Sequence, residues 1–200
     1  GHCLVGVRLF YTCHSIPRVY FDARPKEYIS AKRLKEERGL RFIALHSAMA
    51  EEINKKFSIH DTEVIKNGID LQKFRCPSKT RSEVRRSIGI DDDVFLIGNI
   101  GRFSEVKNHR FLVDVFQMVL KKEHKARLLL VGKGELEEEI REYIRKKGLC
   151  DKVVILSSRT DIPEILSSLD VFVVPSLFEG LSIVSIEAQA VGIRSVLSTG

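Results

Sequence analysis

The four cysteines of this 200-residue chain, Cys3, Cys13, Cys76 and Cys150, never come closer than ten residues. That spacing excludes a CxxC pair for zinc or redox chemistry, and so few cysteines are no disulfide framework; they read as reduced thiols. Long apolar runs are also missing. The stretch over residues 3–13 is broken by Arg8 and is too short to span a bilayer. It lacks a basic leading segment and runs straight into polar sequence, so it does not read as a signal peptide. The histidines at positions 2, 14, 46, 60, 109 and 124 show no HExxH or other ligand spacing, which leaves metal catalysis without support. There is no internal repeat and no low-complexity tract. The chain begins Gly-His without Met and stops at Ser-Thr-Gly directly after an apolar run, so a fragment of a longer protein is expected.

What remains is an ordinary globular composition, 44% apolar and 30% charged, long enough for one full core or one and a half domains. The net charge of +6 is uneven: residues 1–60 hold eleven basic and six acidic groups, and the other 140 residues are nearly balanced. A basic excess confined to one end argues against a nucleic-acid stripe through the fold. It fits an anionic surface or substrate near that end, and fits equally a solvated helix rich in Lys and Arg.

From Val94 onward short apolar runs alternate with amphipathic helical patterns. Strands are expected at 94–100, 127–131, 153–156, 171–174 and 195–197. Helices are expected over the recurrence Phe111, Leu112, Val115, Phe116 and Val119, then at 135–147, from Asp161 with Pro163 through Leu169, and at 182–191. The first third repeats the beat less cleanly, with strands at 7–12, 42–45 and 64–66 and helices at 25–37 and 48–57. Asn67-Gly68, Pro77 and a polar cluster with one modest helix at 81–87 mark the boundary between two α/β units. The fold class is therefore α/β, a doubly wound parallel sheet.

In such a sheet ligands lie at the carboxyl ends of the strands. The loops there read Gly101-Arg102 with Lys107, Gly132-Lys133-Gly134, Ser157-Ser158-Arg159, and Pro175-Ser176-Leu177-Phe178-Glu179-Gly180. Basic side chains, glycines and a helix start at Ser182 suit a phosphate-bearing ligand. Gly132-Lys133-Gly134 begins like a dinucleotide fingerprint, but Glu137 stands where the third glycine belongs, which disfavours a nicotinamide cofactor. The run Asp91-Asp92-Asp93 contains a D-x-D, yet it precedes its strand on the opposite rim and reads as a solvated turn. Glu179 in a loop and Glu187 on the second turn of the next helix are spaced so that both could face one pocket.

Gly101-Arg102 with Lys107-Asn108, Val131-Gly132-x-Gly134, Asp161-x-Pro163-Glu164-x-Leu166, Val174-Pro175-Ser176-x-x-Glu179-Gly180-Leu181, and Glu187-Ala188 with Gly192 together resemble the donor domain of glycosyltransferase family 4. Asn67-Gly68-Ile69-Asp70 with Phe74 is similar to that family's interdomain segment, and Thr12-x-His14-Ser15 to its acceptor-side histidine loop. The resemblance implies a retaining enzyme of the GT-B fold. It assigns residues 1–75 to the end of the acceptor domain and its linker, and 76–200 to a donor domain truncated at its C-terminus.

The same resemblance implies the roles. Arg102 and Lys107 would grip the donor diphosphate, and the amides of Gly180, Leu181 and Ser182 would face the phosphates beside Gly132 and Gly134. Ser158 and Arg159 would border the base, Glu187 would bond the ribose, and Glu179 the hydroxyls of the transferred sugar. His14 would lie near the reacting carbon, making Glu179 and His14 the catalytic pair. Ser182, Ser157 and Arg194 depart from the family's usual Gly or Pro, Gly, and Pro. The expected donor is a UDP-sugar and the expected acceptor a glycan or lipid-linked sugar in bacterial polysaccharide synthesis. No metal, no other cofactor and no nucleic acid enters. A cytoplasmic location is expected, with room for peripheral association at the inner membrane face through the N-terminal or missing part. Transfer by the fragment alone is not expected. The rival readings are a non-catalytic nucleotide-sugar-binding module and a sugar-nucleotide epimerase of related fold.

Overall fold

The computed structural model describes residues 7–179 and 182–198. The chain divides into two compact units, residues 7–68 with Glu179 and residues 69–178 with 182–198. In the first, β1 (Phe10–Thr12), α1 (Pro17–Asp22), α2 (Pro25–Arg38), β2 (Arg41–Ala44), α3 (Ser47–Phe57) and β3 (Glu63–Val64) follow in order. The strands form one parallel sheet in the order β1-β2-β3, with Tyr11 opposite Phe42 and Ile43 opposite Glu63. A proline in the first turn opens both α1 and α2, where its fixed φ suits a helix and its missing N–H costs nothing. Gly39 closes α2 in the left-handed region at φ 66°, its N–H returned to Lys35. His46 caps α3 by accepting from the Met49 N–H at 3.2 Å.

This unit's core is aromatic. Phe57 packs against Phe42 at 4.5 Å and against Phe21 at 5.1 Å between ring centroids. Only Ala31 of α2 is buried, while Lys26, Lys32, Arg33 and Arg38 are exposed. This solvated helix holds five of the eleven basic groups and three of the six acidic ones, so it carries only part of the basic excess of the first sixty residues.

The second unit holds α4 (Leu71–Arg75), α5 (Arg81–Ser87), β4 (Leu96–Ile100), α6 (His109–Leu120), β5 (Arg127–Val131), α7 (Glu137–Lys146), β6 (Val153–Leu156), α8 (Ile162–Ser167), β7 (Val171–Val174), α9 (Ile183–Val191) and β8 (Arg194–Leu197). A 3-10 turn spans Glu105–Lys107. Its strands are all parallel in the order β6-β5-β4-β7-β8. The chain winds one way from β4 to β6 and the other way from β7 to β8, so the switch point lies between β4 and β7.

Both faces of this sheet are covered. Leu96, Leu129 and Phe172 pack with Phe74, Leu166 and Ala188, whereas Ile97, Leu128 and Leu130 pack with Leu112, Phe116 and Ile140. Alternate residues along β4 and β5 therefore serve opposite cores, which is why these strands read as unbroken apolar runs. Each fully buried side chain of this size stabilises by about 1.5–3 kcal/mol. α5 starts on a capping box, with the Glu83 carboxylate accepting the Thr80 N–H at 2.8 Å and the Thr80 hydroxyl accepting the Glu83 N–H at 3.3 Å.

Several elements differ from the expectation. Residues 69–75, assigned by resemblance to the first unit's linker, pack with the second, because Phe74 is buried in its core. The Asp70 carboxylate caps the short helix α4 by accepting from Gln72 N–H at 3.1 Å. Residues 7–9 and 94–95 lie outside the strands expected to include them. α1 is too short to show a helical period, and only its proline signals it.

Below the switch point sits a buried charge network. Arg85 is fully buried, and its guanidinium donates to the carbonyls of Ser168 at 2.9 Å and Val94 at 2.8 Å and to Asp170 at 2.8 Å. Asp170 also accepts from Arg81 at 2.6 Å and from the Leu96 N–H at 2.7 Å. Burial works to raise the Asp170 carboxyl, but these donors hold it below the ordinary carboxylate range. Its native pKa is depressed, so its contribution is complete above about pH 4 and is lost as pH falls through the native value. Asp170→Asn should lower unfolding free energy at neutral pH by about 3–5 kcal/mol, since Arg85 keeps a buried, unpaired charge. Urea unfolding should show the gap to wild type narrowing below about pH 4; a gap independent of pH would contradict the ionised pair.

Candidate functional site

A cavity of about 500 Å³ opens at the carboxyl ends of β4, β5 and β6, lined by Gly101, Arg102, Gly132, Gly134, Ser158 and Arg159 among others. Residues drawn from three separate loops of the expected rim thus meet at one place. The cause is the parallel sheet, in which each strand delivers its following loop to the same edge.

The two glycines of the β5 loop have a specific neighbour. A Cβ on Gly132 would stand 2.0 Å from the Gly101 carbonyl oxygen, and one on Gly134 would stand 2.3 Å from the Phe103 carbonyl oxygen. The loops run so close that Phe103 N–H donates to the Lys133 carbonyl at 3.1 Å and Leu136 N–H to the Phe103 carbonyl at 3.0 Å. In the sequence these glycines suggested backbone approach to a ligand; in the fold they first allow one rim loop to lie on the other.

Arg102 and Arg159 each meet a carboxylate. Arg102, mostly exposed, pairs with Glu135 at 3.0 Å. The Glu135 carboxyl is held below its ordinary range, chiefly by its own backbone N–H and then by Arg102. Arg159 meets Asp161 in a two-pronged contact, at 2.7 Å from Nε to Oδ1 and 2.5 Å from the terminal nitrogen to Oδ2. That contact lowers the Asp161 carboxyl and raises the guanidinium. Exposed pairs of this kind contribute little to stability, so they position the cations without consuming much energy.

Lys107 closes the 3-10 turn, with its methylene stem 3.6 Å from the place a Cβ would occupy on Gly101. Asn108 follows in the left-handed region at φ 51°, a conformation Asn tolerates better than most residues. Leu177 N–H donates to the Val106 carbonyl at 2.8 Å, joining the exit of β7 to this turn. The turn is therefore held at the switch point.

Ser182 is the N-cap residue of α9 and is buried, but its hydroxyl makes no capping bond. Gly180 and Leu181 lie outside the described residues. Glu179 is exposed in the segment after β7. Glu187 is half-buried on the second turn of α9; burial raises its carboxyl and Lys73 of α4 acts to lower it. Neither Ser182 nor Glu187 lines the cavity. His14 is exposed in the loop after β1, in the first unit. Among the described residues no three His, Cys, Asp or Glu side chains converge as a metal site, and no helix is long and apolar enough to cross a membrane. The triple aspartate lies in the turn before β4, where Arg85 holds the carbonyls of Asp91 and Asp92 and Asp93 pairs with Lys125.

Sequence reasoning missed three buried polar side chains near the switch point. Asn99 donates to the Val173 carbonyl at 2.7 Å, tying β4 to β7, while its Oδ1, the Ser176 hydroxyl and His109 Nε2 have no partner. The signal was an Asn within the apolar run Leu96-Ile97-Gly98-Asn99-Ile100 and a His opening a strongly apolar helix.

A doubly wound parallel sheet with cations and a Gly-x-Gly loop at its carboxyl edge has the architecture of a GT-B type domain. Residues 80–199 match the model of the family described as Glycosyl transferases group 1, and the chain belongs to that family. It is 38% identical over 135 residues to EpsF of Bacillus subtilis (strain 168), named as a glycosyltransferase, a match covering 68% of this chain and 35% of that protein. It is 30% identical over 164 residues to the UDP-Gal:alpha-D-GlcNAc-diphosphoundecaprenol alpha-1,3-galactosyltransferase of Escherichia coli, covering 79% of this chain and 42% of that one. The chain thus spans well under half the length of these curated relatives. Among solved structures, Anabaena Alr3699/HepE in complex with UDP and glucose superposes with a TM-score of 0.83 at 22% identity, over 96% of this chain and 53% of that one. That likeness establishes the fold.

The loop-on-loop packing yields a direct test. Gly134→Ala should cost about 1–3 kcal/mol of stability through overpacking, with Phe103 and Leu136 amides losing hydrogen-exchange protection first. Wild-type stability and protection would mean that the loops part without cost.

Proposed function

We propose that this chain supplies the donor-binding part of a retaining hexosyltransferase that draws on a UDP-sugar and builds polysaccharide, with a glycan or lipid-linked acceptor. The observation that carries the reading is the cavity at the carboxyl ends of β4, β5 and β6, where glycine-bearing loops and Arg102 border one space. Family membership supports transfer from an activated sugar. The E. coli relative's name specifies a UDP-sugar donor and a diphosphoundecaprenol-linked acceptor, which supports the choice of both classes.

On this reading the chemistry is leaving-group stabilisation. As the bond from the anomeric carbon to the diphosphate breaks, its electron pair goes to the phosphate oxygen. Arg102, Lys107 and the N–H groups at the start of α9 near Ser182 meet the growing charge, and no metal is required. The acceptor attacks the face that the diphosphate leaves, so no carboxylate nucleophile is needed. Glu179 bonds the sugar hydroxyls, Glu187 the ribose, and Ser158 and Arg159 border the base. His14 acts near the reacting carbon. The protein works in the cytoplasm, with peripheral association at the membrane face where a lipid-linked acceptor resides.

Calorimetric titration of the 200-residue chain with UDP tests the cation roles. Lys107→Ala should weaken UDP by about 1.5–3 kcal/mol, the scale of a charge-assisted hydrogen bond. Arg102→Ala should cost less, because that side chain is exposed and screened. Melting temperature should stay within about 2 °C for both. Unchanged UDP affinity in both variants would remove the diphosphate assignment.

The carboxylates separate by ligand. Glu179→Ala should weaken a UDP-sugar more than UDP, whereas Glu187→Ala should weaken both by a similar factor. Equal losses at Glu179 for the two ligands would overturn its assignment to the sugar.

A further inference from the structure

The loop carrying Arg102 and the turn carrying Lys107 are joined by two flat rings. Phe103 is fully buried, and His109, the first residue of α6, is 2% exposed. Their ring centroids are 4.4 Å apart and their planes differ by 16°, a stacked pair. Phe103 is itself fixed, because its N–H and carbonyl both bond to the β5 loop through Lys133 and Leu136. His109 follows the left-handed Asn108, and that residue follows Lys107. The stack therefore sets where the 3-10 turn stands relative to the Arg102 loop.

The ring's chemistry favours its flat face over its nitrogens. His109 Nε2 is buried without a hydrogen-bond partner. Burial, and then the Lys107 charge, push the imidazole down to about 4, so it is uncharged at neutral pH. Glu105 on the turn, Arg110 on α6 and Glu139 on α7 lie around the same pocket, and the last two pair at 3.1 Å.

We propose that His109 is a positioning residue whose ring, laid on Phe103, fixes the spacing of Lys107 and Arg102 for the two phosphates of a nucleoside diphosphate. The proposal rests on the diphosphate reading above. Its action on ligand passes through Lys107, and its nitrogens are dispensable.

UDP titrations at neutral pH on His109→Leu, His109→Phe, Lys107→Ala and the double variant His109→Leu with Lys107→Ala test it. Leucine and phenylalanine both remove the unpartnered buried Nε2, and only phenylalanine keeps the flat ring. His109→Leu should lower UDP affinity about tenfold, the scale of coupling between neighbouring residues. His109→Phe should bind within about twofold of wild type, since an aromatic pair is retained. In the Lys107→Ala background, His109→Leu should cost little more, whereas a purely structural lesion would cost the same in both backgrounds. Equal penalties in the two backgrounds, no penalty in wild type, or loss in the phenylalanine variant would each overturn the proposal. If the leucine variant does not fold, the phenylalanine variant decides alone: wild-type affinity supports the stack and a tenfold loss rejects it. If Lys107→Ala alone leaves UDP binding unchanged, this proposal fails by itself; if Arg102→Ala does so as well, the diphosphate reading fails with it.

Discussion

The Asp170 carboxylate is the constraint on which the second unit turns. It lies immediately before β7 and accepts the N–H of Leu96, the first residue of β4, so it starts the two switch-point strands at one level. Arg85 and Arg81 reach it from α5, and Arg85 also gathers the carbonyls of Ser168, Asp92 and Val94. Strands that begin together and run parallel deliver their carboxyl ends together. The rim at the far end of β4 and β7 thus inherits its alignment from a pair buried at the near end. Such a pair is weak evidence for stability against an apolar replacement, but breaking one partner is costly.

At the rim, close packing and electrostatics act jointly. Gly132 and Gly134 bring the β5 loop against the β4 loop, which places Arg102 beside Glu135. On the proposed reading a diphosphate competes with Glu135 for Arg102. The competition is inexpensive because the existing pair is exposed and solvent-screened. Arg159, by contrast, is engaged at both prongs by Asp161, which suits a guanidinium that presents a fixed flat edge rather than one that moves onto a ligand.

Much of this was legible in the sequence because it is local. Strands 127–131, 153–156 and 171–174 and helix 81–87 lie where apolar periodicity and turn chemistry put them, since each residue's partner in the pattern is a few positions away. Gly101, Arg102, Gly132, Gly134, Ser158 and Arg159 were legible as a group for a related reason: in a doubly wound sheet the position after a strand fixes the edge. α1 and α4 were not legible, because one or two turns carry no period and only Pro17 and Asp70 announce them. Glu187 was expected to face a shared pocket, and in the fold the charge acting on it is Lys73 of a helix the sequence did not suggest.

The sequence alone determined the alternation of strand and helix, the parallel sheet that follows from it, and the gathering of cations and glycines at one edge. All of these depend on chain-local spacing and on chirality. Tertiary structure decided the rest. Whether Arg85 is a surface charge or the buried partner of Asp170, 85 residues away, depends on which face of α5 meets α8. Whether His109 is a ligand or a stacked ring depends on where Phe103 is carried by its bonds to the β5 loop. Those outcomes rest on contacts between segments far apart in the chain, and desolvation, which gives a buried polar group its character, exists only once the segments have packed.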